Sequence, residues 1–281
     1  MPLLYPFSPR RTIQCQGSHH RAGGYNRCIV RLLLLSDIHA NLEALEACLD
    51  AAPDFDRLVN LGDVVGYGAS PNQVIGLLKA TEPVNVRGNH DRVCAILGPI
   101  AGFNPVAKAA AEWTRDQLSE KNLEWLSRMP IGPVSLPMAP GVQFAHGSPD
   151  NEDRYITSER VAGEVMKVYP ETSTFVGHTH VQAAFARLPE GVQPVRPEPM
   201  RSASRVQRTR LRLRPDASYM INPGSVGQPR DHDRRAAFAL YDSELREVRF
   251  FRVPYDVAGA QQRILAAGLP QMLAARLAEG I

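Results

Sequence analysis

Short apolar runs alternate with helical periodicity along the first half of the chain. Residues 29–35 are mostly apolar and predict a buried strand. Apolar positions spaced i, i+3 and i+7 then predict a helix that Pro53 ends. Further strands are predicted over 57–61 and 84–86, with a helix beginning at Pro71 between them. Each strand ends in polar residues, a pattern typical of α/β folds, which bind ligands beyond the carboxyl ends of their strands.

The middle of the chain is predicted to be mainly helical and the later part mainly β. Helices are expected over about 105–128 and 157–168, on either side of a strand at 142–146. A C-terminal helix, broken at Pro270, is expected over 257–279. The strands of the β region are predicted at 174–177, 183–187, 219–222, 236–242 and 246–253.

Two segments stand apart from this pattern. Residues 1–27 carry four arginines and no acid, and they lack the apolar stretch of a secretory signal. We interpret them as a disordered extension or an over-long gene start, with a transit peptide as the alternative. Residues 28–281 are then one domain. Within it, residues 189–215 are rich in proline and then in arginine, and we interpret them as an insertion in the β region.

Composition narrows the class of protein. The 281 residues are 44% hydrophobic and 22% charged, which excludes a disordered or fibrous chain. The 32 basic and 29 acidic residues give a net charge of +3, so overall charge does not define a nucleic-acid binder. The four cysteines have no metal-site spacing, and no apolar stretch is long enough to span a membrane. We expect a cytoplasmic protein without a membrane partner.

Five short motifs combine histidine, carboxylate and glycine residues, and most of them follow predicted strands. Oxygen and imidazole donors suit Mn²⁺, Fe and Zn²⁺, and Asp-x-His or His-x-His places two donors on the same side of an extended segment. Any one motif is a weak signal, but five in this order predict a metal site. They are Asp37-Ile-His39, Gly62-Asp63, Gly88-Asn89-His90-Asp91, Ala145-His146-Gly147 and Gly177-His178-Thr179-His180.

This series resembles the calcineurin-like metallophosphoesterase superfamily, over about residues 31–253. The stretches at 62–72 and 222–231 resemble a branch of small prokaryotic phosphoesterases. The resemblance implies an α/β (α+β) fold, a four-layer β-sandwich flanked by helices, with a dinuclear metal centre at the carboxyl ends of the strands. It also implies a phosphoric ester hydrolase acting on a small phosphoester or nucleotide.

Matching the motifs residue by residue gives the ligands that the resemblance implies. Asp37, His39 and His180 hold one metal. Asn89, His146 and His178 hold the other, and Asp63 bridges the two. The resemblance implies in-line attack on phosphorus by a hydroxide that bridges the metals. Mn²⁺ is the ion we expect, with Fe, Zn²⁺, Ni²⁺ or Mg²⁺ as alternatives.

Two further residues of the third motif have expected roles. His90, next to the ligand Asn89, is expected to protonate the leaving oxygen as the general acid. Asp91 is expected to orient the ring of His90, since carboxylates commonly position catalytic histidines. The alternative for Asp91 is a residue that only forms the loop turn.

One departure from the family pattern bears on the substrate. In Ser/Thr protein phosphatases and symmetrical dinucleoside tetraphosphate hydrolases, the second motif carries a phosphate-binding arginine where this chain has Tyr67. We therefore favour a phosphodiesterase over a phosphomonoesterase or a nucleotide or dinucleoside polyphosphate hydrolase. Arg230 is the candidate to replace this phosphate-binding arginine, and the alternative is that it is an ordinary surface arginine. Asn41 contacts phosphate or caps a helix, and Tyr67 stacks on an aromatic leaving group or packs in its loop.

The arginine-rich segment leaves non-enzymatic functions open. Residues 196–214 contain seven arginines and one acid, Glu198, in a pattern that fits an amphipathic strand with Leu211 and Leu213 facing inward. The segment is either a basic ribbon that attracts nucleic acid or a solvated β-hairpin, and it has no aromatic residue on which bases could stack. A nucleic-acid-binding protein and an inactive scaffold are the alternatives to an enzyme.

Overall fold

The computed structural model describes residues 29–96, 100, 102–201 and 205–281. The prediction for residues 1–27 lies outside these ranges. The strands are β1 (Arg31–Leu35), β2 (Arg57–Asn60), β3 (Val84–Asn85), β4 (Val134–Ser135), β5 (Val142–Phe144), β6 (Ser173–Phe175), β7 (Ala183–Leu188), β8 (Gly191–Pro194), β9 (Glu198–Met200), β10 (Gln207–Arg212), β11 (Ser218–Asn222), β12 (Ala236–Asp242) and β13 (Glu247–Val253). The helices are α1 (Leu42–Ala51), α2 (Pro71–Ala80), α3 (Asn89–Ala95), α4 (Pro105–Gln117), α5 (Glu120–Ser127), α6 (Glu159–Val168), α7 (Val257–Ala266) and α8 (Gln271–Glu279).

Two mixed sheets make up the centre of the fold. One has the strand order β3-β2-β1-β12-β13-β10-β9, and the other β4-β5-β6-β11-β7-β8. In the first sheet β1, β2 and β3 are parallel, and in the second β5, β6 and β11 are parallel. Each sheet therefore presents three parallel carboxyl ends, where ligands bind in α/β folds.

The sheets pack face to face, with helices on both outer faces. Leu32 and Leu34 of β1 point into the cluster between the sheets, together with Phe144 and Phe175 of the second sheet. The alternate residues of β1 face a second cluster beneath α1 and α2, while α6 covers the outer face of the second sheet. Because side chains alternate along a strand, the apolar run of β1 is buried on both faces. The predicted four-layer α/β sandwich is confirmed.

Local signals in the sequence set several element boundaries. The side chain of Asn41 accepts a hydrogen bond from the Ala44 amide and begins α1, and Pro71 occupies the first turn of α2. The C-terminal helix is broken at Pro270, as predicted. Helix α3 was not predicted, because the motif that contains it was assigned to a loop.

The segment at 189–215, predicted as an insertion in the β region, contributes strands to both sheets. Strand β8 pairs with β7 in one sheet, whereas β10 pairs with β13 and β9 in the other. The segment therefore passes from one sheet to the other. Leu211 and Leu213 pack against the cluster between the sheets, as predicted, and Arg210 pairs with Glu198. None of the helices in the described ranges is long and apolar enough to cross a membrane.

Candidate metal centre

The predicted ligands converge where the parallel strands of both sheets end. Asp37 and His39 follow β1, Asp63 follows β2, and Asn89 begins α3 after β3. His146 follows β5, and His178 and His180 follow β6. All seven side chains are at most 7% exposed, although polar side chains usually lie at the protein surface. The two sheets thus each supply part of one buried polar cluster.

One half of the cluster consists of Asp37, His39, Asp63 and His180. One ligand atom from each lies within 4.8 Å of the others. The Nε2 atoms of His39 and His180 are 3.2 Å apart, and Asp37 Oδ1 lies 3.3 Å from His180 Nε2. These four side chains can hold one metal ion.

The other half consists of Asp63, His146 and His178, with Asn89 beside them. His146 Nε2 lies 3.1 Å from His178 Nδ1 and 3.2 Å from Asn89 Oδ1. The Oδ2 atom of Asp63 faces both halves, at 3.3 Å from His146 Nε2 and 3.6 Å from His39 Nε2. Its Oδ1 atom accepts a hydrogen bond from the His90 amide, which fixes the carboxylate in this position. Asp63 therefore belongs to both groups of donor atoms.

Main-chain carbonyl groups set the tautomers of the histidines. The Nδ1 atoms of His39, His146 and His180 lie 3.1, 2.8 and 2.6 Å from the carbonyl oxygens of Val65, Leu61 and Gln228. A carbonyl oxygen only accepts, so each Nδ1 carries a proton and each Nε2 of a neutral ring keeps its lone pair. His178 is reversed, since its Nε2 donates to the Asp153 carbonyl and its Nδ1 faces the cluster.

These tautomers show that the cluster fits a cation. In neutral rings, the facing nitrogens of His39 and His180 both present lone pairs at 3.2 Å, so no hydrogen bond joins them. His146 and His178 face one another in the same way at 3.1 Å. Carbonyl groups that orient the far side of a histidine ring are typical of metal sites. The donor set of imidazole, carboxylate and amide oxygen suits first-row divalent ions.

Burial favours the neutral, metal-binding form of most of these rings. It lowers the pKa of His39 and His180 well below the ordinary value, and lowers the pKa of His178 to about 4. For His146, burial is outweighed by the Asp63 carboxylate, and the pKa rises to about 10. Burial also raises the pKa of Asp37 to about 7. A bound cation counteracts both of these shifts, because it favours carboxylate and neutral imidazole.

The predicted ligands lie on strained loops rather than on extended segments. Five of the seven have positive φ angles between 49° and 67°, a region that side chains other than glycine rarely adopt. The prediction that Asp-x-His and His-x-His segments are extended is therefore wrong. Asp37 and His39 still belong to the same half of the cluster, but His178 and His180 point into different halves of it. The five residues are Asp37, His39, Asp63, His178 and His180.

Asp91 does not orient His90, contrary to the prediction. Its carboxylate accepts hydrogen bonds from main-chain amides of the neighbouring loops, at 2.8 to 3.2 Å. These bonds fix the loop that carries Asp63 against the start of α3, so Asp91 holds the Asp63 loop rather than the ring of His90. The donating amides are those of Asp63, Val64, Val65 and Gly88.

His90 lies in an aromatic environment beside the first half of the cluster. Its ring centroid is 4.8 Å from that of His39, 4.4 Å from that of Tyr67 and 4.6 Å from that of Phe103. Its Nδ1 atom is buried and has no hydrogen-bond partner within the described ranges. Burial lowers the pKa of His90 to about 4, so the ring is neutral near pH 7 in the absence of an anion nearby.

The three candidate substrate contacts have different environments. Asn41 is not free to contact phosphate, because it caps α1 and its amide donates to the Gly227 carbonyl at 2.9 Å. The ring of Tyr67 packs against His39 and His90, and the residue is 8% exposed. Arg230 reaches this ring, with its guanidinium carbon 5.9 Å from the ring centroid.

Sequence reasoning missed Tyr155 at the edge of the centre. Its ring lies 3.8 Å from that of His178, and the residue is 48% exposed. The segment that contains it follows β5, and its neighbour Asp153 accepts the hydrogen bond of His178. The sequence held one available signal, since loops at the carboxyl ends of parallel strands carry ligand-binding residues.

Comparison with known proteins identifies the class. Residues 30–245 match the calcineurin-like phosphoesterase superfamily domain. The chain belongs to this superfamily, and it is a metallophosphoesterase, a phosphoric ester hydrolase whose buried histidine and aspartate cluster can hold metal ions.

Particular relatives show how far the likeness extends. A metallophosphoesterase from Sphaerobacter thermophilus has a structure that is 36% identical in sequence, with a TM-score of 0.77, over 90% of this chain and all of that one. The hypothetical protein PH1004 from Pyrococcus horikoshii shares the fold at 24% identity and a TM-score of 0.69, over 90% of this chain and 99% of that one. The uncharacterized protein MJ0912 of Methanocaldococcus jannaschii is 32% identical over 88% of this chain and 96% of its own length.

The close approach of Gly88 to Asp63 predicts a specific defect. A Cβ atom at Gly88 would lie 2.1 Å from Asp63 Oδ1 and 2.3 Å from the Asp63 amide nitrogen. We expect Gly88→Ala to lower the free energy of unfolding by about 1–3 kcal/mol and to weaken metal binding, because Asp63 must move. Urea unfolding and calorimetry measure both. Gly76→Ala in α2, where a Cβ meets nothing within 4 Å, is the control and should stabilise slightly. Equal stability and metal affinity of Gly88→Ala and the wild type would contradict this prediction.

Proposed function

We propose that this protein is a phosphodiesterase that depends on two divalent metal ions. The observation that carries the proposal is the pair of donor clusters that share Asp63, with one carboxylate oxygen between them. A shared carboxylate of this kind can join two cations about 3.5–4 Å apart.

The chain's residues divide the binding of the two ions. Asp37, His39 and His180 would hold one, Asn89, His146 and His178 would hold the other, and Asp63 would contribute to both. When bound, two such ions supply an activated water and neutralise charge on the phosphoryl oxygens. We propose Mn²⁺ as the native ion because the donors are imidazole and oxygen, with Fe, Zn²⁺, Ni²⁺ and Mg²⁺ as alternatives.

His90 is the proposed general acid. Hydrolysis adds water across the phosphorus–oxygen bond, so the water oxygen joins phosphorus and the leaving oxygen takes a proton. The ring of His90 contacts that of His39, which places it at the edge of the ligand cluster. The negative charge of a bound phosphoester raises the pKa of this ring and favours the protonated form. His90 then holds a proton for the leaving oxygen.

The preference for diesters rests on Tyr67. A guanidinium group at this position would bind two oxygens of a phosphate dianion at once, and a phenol ring cannot do so. A diester has a single negative charge and needs less positive charge from the protein. Arg230 favours a second candidate, a phosphomonoesterase or nucleotide hydrolase, since its buried Nε has no hydrogen-bond partner among the described residues.

The experiment is hydrolysis of bis(4-nitrophenyl) phosphate beside 4-nitrophenyl phosphate. The full chain is stripped of metal with a chelator and then resupplied with Mn²⁺, Ni²⁺, Zn²⁺ or Mg²⁺. We expect no turnover without metal, restoration with metal, and higher kcat/KM for the diester. Asn89→Ala should lower both rates by about 10- to 100-fold, because it removes a ligand of one ion.

Asn72→Ala is the control for this experiment. It removes an amide that bonds to the α4–α5 region, away from the cluster, and it should leave turnover unchanged. A preference for the monoester would establish the second candidate instead. Absence of turnover with every metal would contradict the proposed function and favour a scaffold.

Location and macromolecular partners remain proposals. We propose a cytoplasmic enzyme on the basis of the cysteine pattern, and Cys48 and Cys94 are buried free thiols. A nucleic-acid partner for residues 196–214 stays a prediction. The ion pair between Arg210 and Glu198 weakens this prediction, because it balances part of the positive charge of the segment.

A further inference from the structure

Four charged side chains pair with one another beside the half of the cluster that contains Asn89. Arg92 donates from Nη1 to Glu152 Oε1 at 2.7 Å, and Arg87 donates to both oxygens of Glu152 at 3.0 and 3.1 Å. Arg92 also donates to both oxygens of Asp153, at 2.9 and 3.1 Å. Forked pairs of this kind are the strong and directional form of the contact between arginine and carboxylate. We call these four side chains the ion-pair network.

The ion-pair network joins the two sheets. Arg87 follows β3 of the first sheet, and Arg92 lies on α3, which comes next in the chain. Glu152 and Asp153 lie in the loop between β5 of the second sheet and α6. The side chains of Arg87 and Glu152 are only 15% and 9% exposed, so solvent screens their attraction less than that of a surface pair. The network therefore links loops of the two sheets at the edge where the predicted ligands meet.

The loop between β5 and α6 also orients His178. The Nε2 atom of His178 donates to the main-chain carbonyl of Asp153 at 3.2 Å, and the ring of Tyr155 lies 3.8 Å from that of His178. The carbonyl groups that orient the other three predicted histidine ligands belong to buried residues, whereas Asp153 is exposed. The position of His178 therefore depends on what holds this exposed loop.

Arg92 holds the loop from the helix that carries Asn89. Asn89 is the first residue of α3 and Arg92 the fourth. Asn89 Oδ1 lies 3.2 Å from His146 Nε2, which in turn lies 3.1 Å from His178 Nδ1. One helix thus supplies a candidate donor of this half and, through Arg92, fixes the loop that orients another.

The half of the cluster that contains Asp37 is held in a different way. The main-chain amides of Val226 and Gly227 donate to the carbonyl oxygens of Ser36 and Asp37, at 3.0 and 2.9 Å. Val226 and Gly227 follow β11 of the second sheet, and Ser36 and Asp37 follow β1 of the first. Main-chain bonds do not depend on the ion-pair network. A change in the network should therefore affect the two halves unequally.

We infer that Arg92 and Glu152 are positioning residues, which hold the ring of His178 in place through the loop that contains Asp153. Neither side chain is among the candidate metal donors, so each acts through the loop. The expected effect on metal binding rests on the proposed function, whereas the expected effect on the orientation of His178 does not.

Titration of the metal-stripped full chain with Mn²⁺, followed by calorimetry, tests the effect on metal binding. We expect Arg92→Gln and Glu152→Gln each to weaken the binding of one of two ions by about 10- to 100-fold, since residues that orient a ligand contribute this much to affinity. The affected ion should be the one that Asn89→Ala also weakens. Arg92→Lys should keep part of the affinity, because ammonium retains the charge but lacks the planar fork. Equal weakening of both ions, or of neither, in folded variants would overturn the inference.

The tautomer of His178 gives a readout that needs no metal. In chelator near neutral pH, a proton–nitrogen correlation spectrum of the histidine rings separates the Nε2–H form from the Nδ1–H form. The wild type should show His178 with its proton on Nε2, and loss of the signal in His178→Gln assigns it. Arg92→Gln should shift His178 toward a mixture of both forms, because the Asp153 carbonyl is no longer held. An unchanged His178 signal in folded Arg92→Gln would also overturn the inference.

Arg249→Gln is the matched control. Arg249 pairs with Glu247 at 2.7 Å on β13, and its side chain is 27% exposed, close to the 31% of Arg92. It lies outside the ion-pair network, so its loss should leave both the Mn²⁺ affinities and the His178 signal unchanged. Circular dichroism checks that each variant is folded. If Arg92→Gln unfolds, Arg92→Lys and Glu152→Gln carry the test.

The positioning role and the proposed function can fail separately. If Arg92→Gln changes the His178 tautomer and one Mn²⁺ affinity but the wild type hydrolyses no phosphoester, the positioning role stands and the proposed function fails. If the wild type hydrolyses the diester with metal but Arg92→Gln changes neither the tautomer nor the affinity, the proposed function stands and the positioning role fails.

Discussion

Asp63→Asn is expected to lower kcat/KM for bis(4-nitrophenyl) phosphate by at least about 10³-fold, equivalent to about 4 kcal/mol of transition-state stabilisation. One oxygen of Asp63 faces both halves of the cluster, and the other accepts the His90 amide. The amide side chain is nearly the same size, and asparagine tolerates the positive φ of 56° at this position. The variant should therefore fold but lose the negative charge shared by two cations.

Steady-state kinetics with saturating Mn²⁺ measure this effect. Asp116→Asn, at an exposed position on α4, is the control for removal of a carboxylate and should be as active as the wild type. The melting temperature shows whether Asp63→Asn is folded. A folded Asp63→Asn variant with more than a tenth of wild-type activity would show that Asp63 does not bridge a catalytic pair of ions.

His90→Asn is expected to act selectively according to the leaving group. For a dinucleoside monophosphate, whose leaving group is a sugar hydroxyl, kcat should fall by about 10²- to 10⁴-fold, because a poor leaving group needs a proton. For bis(4-nitrophenyl) phosphate the loss should be less than about tenfold, since nitrophenolate leaves without protonation. The comparison separates acid catalysis from packing, because a purely structural role affects both substrates equally.

The control for this variant is His232→Asn. His232 is exposed and, like His90, is a histidine outside the seven ligands, and its positive φ of 63° also suits asparagine. It should leave both rates unchanged. Equal losses for the two substrates in His90→Asn would remove His90 from the role of general acid and leave it a packing residue of the aromatic group around Tyr67.

The resemblance of the five motifs to the family implied the ligand set, and the strand ends explain why these side chains lie close together. Each motif follows a short apolar strand, and parallel strands bring their carboxyl ends to one edge. The apolar run predicted the strand β1, and Asp37 and His39 come directly after it in the chain. The resemblance also implied the four layers, and apolar strands buried on both faces agree with it, since they need helices on the outside.

The local geometry of the loops could not be predicted in this way. Period-two alternation was assumed for His178 and His180, but both residues have positive φ and point into different halves of the cluster. Such strained conformations are held by the surrounding tertiary hydrogen bonds. Asp91 shows the same limit. Its partners are main-chain amides of the Asp63 loop, and a sequence motif does not show where such amides point.

Residues distant along the chain were beyond prediction for a different reason. Arg92 and Glu152 lie 60 positions apart, and nothing in the sequence marks either as the partner of the other. Tyr155 is adjacent to no motif. The sequence left two roles open for Asn41, phosphate contact or helix capping. The hydrogen bond from its amide to the Gly227 carbonyl was needed to decide between them. Each case depends on a tertiary contact that local residue types leave undetermined.

The most direct test of the proposed dinuclear centre is anomalous X-ray scattering from crystals of the full chain loaded with Mn²⁺. We predict two anomalous peaks about 3.5–4 Å apart on either side of the Asp63 carboxylate. One peak should lie among Asp37, His39 and His180, and the other among Asn89, His146 and His178. A single peak, peaks outside this cluster, or none at saturating Mn²⁺ would contradict the account.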